Sequence, residues 1–171
     1  AEDAPRHPVN AYGKMRKRAE DLVMGYNGEW LIARLFLLYG QEPPGARGNW
    51  GTKAYLALGA GRRLRVVDDV VYQPTLAADA ARAVWRLALD GEPGCWNVAG
   101  DGACTLHGFV SALARAFGFP PSMVGRAEFG EFPDLTPRAV DSRYDLAKSK
   151  YWGICPRGYK EGLEAFRDEI G

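Results

Sequence analysis

The 171-residue chain is 47% hydrophobic and 25% charged, and its 22 Lys and Arg residues against 21 Asp and Glu leave a formal net charge of +1. This composition is typical of a globular domain with a hydrophobic core, and it excludes a disordered chain and a strongly basic nucleic-acid-binding protein. No apolar run approaches the roughly 18 residues of a transmembrane helix, so we expect no membrane span. Because the net charge is close to zero, we also expect no direct nucleic-acid binding.

The hydrophobic pattern predicts alternating helices and strands. The nearly continuous apolar run from Trp30 to Leu38 is typical of a strand covered on both faces, as in a parallel sheet. We predict strands over 29–39, 64–71 and 95–99, and helices near 10–24, 75–90 and 105–117. A further helix should begin at Asn49 or Gly51, and two short helices should close the chain. The alternation predicts an α/β fold.

Two local patterns concern helix starts. Thr75 has the position of an N-cap for helix 75–90, and we expect Asp79 to accept hydrogen bonds from nearby backbone or from an arginine. The Gly100–Gly102 turn follows a strand and precedes a helix, as a phosphate-binding loop does. Because the third glycine and a downstream acidic residue are missing, a tight turn with Thr105 as the helix cap is the better interpretation.

The cysteines indicate packing rather than chemistry. Cys95, Cys104 and Cys155 form no CxxC motif, and with only two histidines in the chain they have no metal-ligand spacing, so we expect no metal site. An odd and sparse set of thiols suits an intracellular reducing compartment, either the cytoplasm or an organelle matrix.

Five segments carry a family resemblance, and the first of them runs from Glu2 to Glu20 around Tyr12-Gly13. The others are Arg34 to Gly40, Asp68 to Asp79 with Pro74-Thr75, Trp96 to Gly100, and Pro137-Arg138 to Gly153-Ile154. In this order they resemble the extended short-chain dehydrogenase/reductases, most closely the dTDP-4-dehydrorhamnose reductase branch. The resemblance spans residues 1–171, which are similar to the C-terminal portion of such a protein.

The resemblance implies a doubly wound Rossmann-type parallel sheet, of which this chain would hold the later strands and the smaller substrate-side lobe. The N-terminal cofactor-binding half, with its G-x-x-G-x-x-G turn, has no counterpart in these 171 residues. We therefore expect strand 29–39 to pair with polypeptide outside this sequence. The resemblance thus implies a partner, a second polypeptide that completes the sheet, within a multi-subunit assembly.

The resemblance also implies site residues. In the family a tyrosine acts as the general acid, and a lysine one helical turn later stabilises its phenolate and holds the cofactor ribose. Here the residue four positions after Tyr12 is Arg16, which keeps the positive charge but cannot release a proton. Tyr12, Arg16 and Tyr39 would contact NADP or NAD.

The substrate side of the implied site comes from later segments. Asn49 and Trp50 stand where the family has an "NF" segment, and Gln73 belongs to its Pro-Thr signature. By this resemblance, Asn49, Trp50 and Gln73 would contact the substrate.

Three functions remain open. The altered tyrosine–lysine pair and the missing half favour a degenerate, non-catalytic relative with a structural or regulatory role in a larger assembly. The alternative is an NAD(P)H-dependent reductase of a 4-keto nucleotide sugar whose cofactor half lies on another chain or outside this sequence. The third is an α/β domain without a ligand.

Overall fold

Six helices and eight short strands alternate along residues 1–43 and 45–170, which the computed structural model describes. The helices are α1 (Ala11–Met24), α2 (Trp50–Gly59), α3 (Ala77–Asp90), α4 (Leu106–Ala116), α5 (Ala147–Tyr151) and α6 (Tyr159–Ile170). The strands are β1 (Leu31–Leu35), β2 (Leu38–Tyr39), β3 (Leu64–Val67), β4 (Val71–Tyr72), β5 (Thr75–Leu76), β6 (Gly94–Val98), β7 (Cys104–Thr105) and β8 (Val124–Ala127).

Parallel strand pairs dominate the sheet structure. β1 runs parallel to β6, with Leu31 opposite Gly94 and Leu35 opposite Val98. β2 pairs with β5 and β3 with β8, both in parallel, whereas β4 and β7 are antiparallel. The predicted α/β class is therefore confirmed. In the described part of the chain β1 has β6 as its one strand neighbour, so pairing of its other edge with polypeptide outside the sequence stays a prediction.

The core consists of two groups of buried side chains. The larger lies between α2, α4, α6 and the strands β2 to β5, and its most enclosed members include Tyr39, Leu58, Phe109, Leu113 and Phe166. The smaller joins α3 to β6 and the chain after α5, through Ala83, Leu87, Trp96, Val98 and Ile154. By contrast, α1 buries no side chain.

The helix starts are close to those predicted. The side chain of Asn10 accepts the N–H of Gly13 at 2.8 Å at the start of α1, and Asn49 accepts that of Thr52 at 3.0 Å at the start of α2. Thr105 caps α4 in the same way, accepting the N–H of Gly108 at 3.0 Å. These short polar side chains satisfy backbone donors that have no partner within the helix.

The prediction of one continuous strand over 29–39 is wrong. The segment divides into β1 and β2 because the backbone turns at Leu37, which has a φ of +40°. A left-handed conformation is costly for a residue with a side chain. The turn is held by the N–H of Thr75, which donates to the carbonyl of Leu37 at 3.1 Å.

The strand predicted over 64–71 also divides, into β3 and β4. Between them, Asp68 accepts a hydrogen bond from the Thr105 hydroxyl and pairs with Arg126 at 3.2 Å. Asp69 accepts the N–H of Phe129 at 2.9 Å. The two carboxylates thus bond to residues of other segments at the bend between β3 and β4.

The predicted role of Thr75 as a helix cap is wrong. Thr75 is buried in β5, where its hydroxyl donates to the carbonyl of Phe36 and accepts the N–H of Gly100, both at 2.9 Å. Helix α3 begins two residues later without a side-chain cap. The prediction for Asp79 is confirmed, since its carboxylate accepts hydrogen bonds from Arg82 and, at 2.7 Å, from Arg157.

Candidate functional site

Tyr12 and Arg16 meet on the first two turns of α1. The Nε of Arg16 donates a hydrogen bond of 2.9 Å to the phenol oxygen of Tyr12, and its guanidinium carbon lies 5.2 Å from the centre of the Tyr12 ring. Residues four apart share one face of a helix, which explains the contact. Lys17, one residue further, instead pairs with Asp21 at 3.3 Å. The Tyr12 side chain is 60% exposed, so its hydroxyl is accessible from outside.

An ion-pair cluster holds α1 against β1. Arg34, on β1, donates from Nε and from a terminal nitrogen to the two oxygens of Glu20, at 2.9 and 2.8 Å. Arg6 donates to Glu20 at 3.1 Å and to Asp21 at 2.5 Å. Because α1 buries no side chain, these contacts fix the position of the helix and of Tyr12 with it.

Electrostatics keep Glu20 ionised. Partial burial pushes the pKa of Glu20 upward, but hydrogen bonds and positive charge from Arg34 and Arg6 outweigh it, and the pKa lies below its ordinary value. The pKa of Arg34 is raised, chiefly because it donates to Glu20. The cluster is therefore charged at neutral pH.

A cleft of about 540 Å³ adjoins the Tyr12–Arg16 pair. The N-terminal segment and α1 form one wall, and residues 138–145 form the other. The walls are joined where the side-chain amide of Asn10 donates to the carbonyl of Pro137 at 2.8 Å. Among the described residues Arg16 and Arg138 have no carboxylate within salt-bridge distance, so both cations can serve an anionic ligand.

A smaller apolar pocket of about 190 Å³ opens beside the cleft. Its lining is mainly aliphatic and aromatic, and its charged residues are Arg65 and Arg138. Tyr72 and Arg138 line both spaces, so the pocket and the cleft adjoin. Such an arrangement suits a ligand with a flat ring at one end and an anionic group next to it.

The predicted site residues occupy different surroundings. Tyr12 and Arg16 line the cleft, and Trp50, the first residue of α2, lines the apolar pocket with 46% of its surface exposed. Asn49 caps α2 and donates to the carbonyl of Gly40 at 2.8 Å. The Asn49 amide is thus used within the fold.

Gln73 and Tyr39 lie inside the protein. Gln73 is buried, and its amide bonds both backbone groups of Tyr144, accepting the N–H at 2.6 Å and donating to the carbonyl at 3.3 Å. Tyr39 is 1% exposed and donates to the carbonyl of Tyr159, and burial raises the pKa of its phenol well above the usual range. This placement argues against the cofactor contact predicted for Tyr39, because its hydroxyl faces the core.

Other groups do not add chemistry to the cleft. Burial raises the pKa of Cys104 to about 12 and also raises the pKa of Cys95 and of Cys155, so the thiols are protonated at neutral pH. The N–H of Gly100 is bonded to Thr75, which supports a structural turn over a phosphate loop. In residues 1–43 and 45–170 no cluster of side chains suits a metal ion, and no helix is long and apolar enough to cross a membrane.

Arg138 and the apolar pocket were not predicted as a site. Arg138 appeared in the sequence only as part of a family motif, and the pocket combines α2, β3, β4 and the loop after β8. Because residues so distant in sequence form the pocket, no local sequence pattern predicts it. The one local feature that could have indicated Arg138 is its position next to a proline in a polar segment.

Comparisons with known proteins identify the family of the chain. A sequence profile of the RmlD substrate binding domain matches residues 1–171. The spore coat polysaccharide biosynthesis protein SpsK of Bacillus subtilis is 28% identical over 98% of this chain and 57% of its own length. A dTDP-4-dehydrorhamnose reductase of Aggregatibacter actinomycetemcomitans is 26% identical over 94% of this chain and 58% of its own length.

A solved structure shows the same fold. The dTDP-4-dehydrorhamnose reductase of Bacillus anthracis, in complex with NADP, superposes with a TM-score of 0.89 at 22% identity. The match covers 98% of this chain and 58% of that one. The chain therefore spans little more than half the length of the relatives it matches.

Proposed function

Because the chain belongs to the RmlD substrate binding domain family, we propose that it forms the substrate side of a reductase site for a 4-keto nucleotide sugar. NADPH or NADH would supply a hydride to the keto carbon, and the phenol of Tyr12 would supply the proton to the keto oxygen. The two transfers together convert the ketone to an alcohol. Arg16 would stabilise the phenolate left behind.

The hydrogen bond from Arg16 to Tyr12 carries this proposal. Since the guanidinium donates to the phenol oxygen, the proton of that hydroxyl remains available to a substrate carbonyl in the cleft. When the proton leaves, the negative charge forms 2.9 Å from a cationic donor. The pair thus keeps the electrostatic part of a tyrosine–lysine arrangement.

In this proposal one end of the nicotinamide cofactor contacts this chain. Arg16 has further N–H groups that could donate to ribose hydroxyls beside Tyr12. The pyrophosphate requires a glycine-rich turn at a helix start, and the Gly100 turn is closed by its bond to Thr75. We propose that a cofactor-binding half supplies that turn and pairs with the edge of β1 opposite β6, either as another polypeptide or as part of a longer chain.

The nucleotide sugar would span the two spaces. The base would enter the apolar pocket beside Trp50, and the diphosphate would lie at Arg138, which lines both the pocket and the cleft. The sugar would then reach the cleft wall that carries Tyr12. In this arrangement Trp50 contacts the substrate directly. Asn49 and Gln73 would act indirectly, because their hydrogen bonds hold the start of α2 and the backbone of Tyr144 in position.

Arg16 also favours a second candidate, a non-catalytic relative with a regulatory or structural role in an assembly. A lysine can pass a proton back to the phenolate, but an arginine stays protonated in proteins. Turnover would then be slow although both ligands bind. Binding and turnover therefore have to be measured separately.

The experiment joins the chain to the cofactor-binding half of a relative and measures NADPH binding, sugar-nucleotide binding and hydride transfer. A Tyr12→Phe variant should lose nearly all turnover and keep both binding affinities. Arg16→Lys should raise turnover if proton return limits the reaction, while Lys17→Arg, one residue off that face, is the matched control.

The outcomes separate the candidates. Turnover near the ~10 per second of ordinary enzymes, abolished by Tyr12→Phe, supports the reductase. Binding without turnover, with a large gain in Arg16→Lys, supports the non-catalytic relative. Turnover that survives Tyr12→Phe would refute the role of Tyr12.

A further inference from the structure

A second phenol, that of Tyr144, lies in the cleft with its hydroxyl unused by the fold. Within residues 1–43 and 45–170 both hydrogen bonds of Tyr144 are made by its backbone, and the hydroxyl is not sealed in the core. Tyr144 lines the cleft together with Tyr12 and Arg16. The same three residues line a groove of about 520 Å³ between α1 and β1. The Tyr144 side chain therefore lies where these two spaces meet, beside the Tyr12–Arg16 pair.

Two buried amides fix the backbone at Tyr144. Gln73, which is 5% exposed, accepts the N–H of Tyr144 at 2.6 Å and donates to its carbonyl at 3.3 Å. The side-chain amide of Asn97, which is 2% exposed, donates to the carbonyl of Asp145 at 3.2 Å. Because these bonds hold Tyr144 in place before a ligand arrives, a contact made by its side chain costs less ordering entropy.

The Tyr144 ring is the last of three aromatic rings that follow one another along the cleft. It packs against Phe36 with the ring centres 5.5 Å apart, and Phe36 stacks on Tyr72 at 6.0 Å. All three rings line the cleft, and Tyr72 also lines the apolar pocket. The rings therefore lead from the pocket proposed for the base to the pair that would act on the sugar.

The Tyr144 hydroxyl is a neutral donor and acceptor. Burial raises the pKa of this phenol more than the charge of Arg34 lowers it, and Glu20 and Tyr12 add to the rise. The hydroxyl is therefore protonated at neutral pH, and it lies within electrostatic reach of Tyr12. A neutral phenol both donates and accepts a hydrogen bond, which suits a sugar hydroxyl better than a phosphate.

We propose, on the basis of the reductase function proposed above, that the Tyr144 hydroxyl binds the hydroxyl on C3 of the sugar while Tyr12 faces the C4 keto oxygen. The base and the diphosphate are assigned to the apolar pocket and to Arg138, so the sugar is the part of the ligand that lies near Tyr12 and Tyr144.

The chemistry of the sugar selects C3. In a 4-keto pyranose the keto carbon has two neighbours in the ring, and C3 is the one that carries a hydroxyl. The other neighbour, C5, carries a carbon substituent and the ring oxygen. A hydrogen bond from Tyr144 to the C3 hydroxyl would fix the rotation of the ring relative to Tyr12, and it would favour substrates that have this hydroxyl over those that lack it.

Calorimetry of the full chain with three ligands tests this contact. The ligands are dTDP, dTDP-4-keto-6-deoxyglucose, and the analogue of that sugar nucleotide without the C3 hydroxyl. Tyr144→Phe should weaken binding of the keto sugar nucleotide about five- to tenfold, because one hydrogen bond is lost while the ring keeps its packing. Binding of dTDP should be unchanged. The analogue should bind equally to both proteins, because the Tyr144 hydroxyl then has no partner to lose.

Tyr151→Phe is the matched control. It removes the same hydroxyl from a side chain that is 88% exposed on α5 and lies outside the cleft. We expect this variant to bind all three ligands as the wild type does, and a circular dichroism melt of each variant verifies that it is folded. The wild type with the analogue gives the same comparison without a substitution, and it should show the same five- to tenfold loss, about one hydrogen bond.

The outcomes distinguish a failure of this contact from a failure of the reductase function. If the wild type binds neither dTDP nor the keto sugar nucleotide, both are refuted. If the wild type binds the keto sugar nucleotide and Tyr144→Phe binds it equally well, the contact alone is refuted. A loss of the same size for dTDP, or for the analogue, would also overturn the contact, because Tyr144 would then not act through the C3 hydroxyl.

Discussion

Glu20→Gln is the most informative change because it removes one charge and almost no volume. Glu20 is the point at which Arg34 of β1 and Arg6 of the N-terminal segment hold α1. Since α1 has no buried side chain, we expect this helix to loosen on its own while the core stays intact.

The size of the effect follows from the burial of the pair. The Glu20 and Arg34 side chains are 18% and 12% exposed, which lies between the exposed pairs worth up to ~1 kcal/mol and the buried pairs whose loss costs ~3–5 kcal/mol. The glutamine amide keeps one acceptor oxygen, so the loss of the carboxylate charge and of the bonds to its other oxygen should cost about 2 kcal/mol. That corresponds to a roughly 30-fold increase in local opening.

Hydrogen exchange of the α1 amides measures this opening. In Glu20→Gln they should exchange about 30 times faster, while amides of α4 in the core should change little. Glu164→Gln is the control, because Glu164 is exposed on α6. Unchanged exchange in α1, or equal acceleration in α1 and α4, would refute the idea that this cluster holds the helix.

The same contact should depend on pH. The folded pKa of Glu20 lies below its ordinary value of 4.5, so the stabilisation is complete above that pH. It should be lost as the pH falls from 4.5 through the folded value. In Glu20→Gln this acid-induced step in α1 exchange should be missing, and a wild type without such a step would contradict the assignment.

Two further predictions concern the fold and the proposed ligand. Thr75→Val should lower the free energy of unfolding by about 1–3 kcal/mol, because the N–H of Gly100 loses its buried acceptor, and a thermal melt measures it; an unchanged melting temperature would show that this bond adds no stability. Trp50→Ala and Arg138→Ala should each weaken binding of dTDP about tenfold or more by calorimetry. Leu135→Ala, also in the apolar pocket but uncharged, should affect binding less than Arg138→Ala.

Local features of the fold were predictable because their causes lie within a few residues. Asn49 and Thr105 begin helices because their side chains reach a backbone donor three residues later. The contact between Tyr12 and Arg16 follows from helical spacing alone. The starts of α2 and α4 and the contact between Tyr12 and Arg16 could therefore be predicted from the sequence.

Features set by tertiary contacts could not be predicted in this way. The break at Leu37 depends on the N–H of Thr75, which is distant in sequence. Thr75 itself resembles a cap but bonds to Phe36 and Gly100 across the core. The family resemblance implied a cofactor contact for Tyr39, whereas the aromatic core around Phe109 encloses this residue.

The contact between Arg16 and Tyr12 also depends on what Glu20 binds. Glu20 lies one turn beyond Arg16, a spacing at which the two would pair on an isolated helix. Arg34 and Arg6 occupy both oxygens of Glu20, which leaves Arg16 to Tyr12. Arg34→Met should therefore let Glu20 draw Arg16 away, and NMR contacts between the Arg16 side chain and the Tyr12 ring should weaken. Arg6→Met, which keeps the two bonds from Arg34, should preserve them. Equal contacts in both variants would show that Arg16 is held by Tyr12 alone.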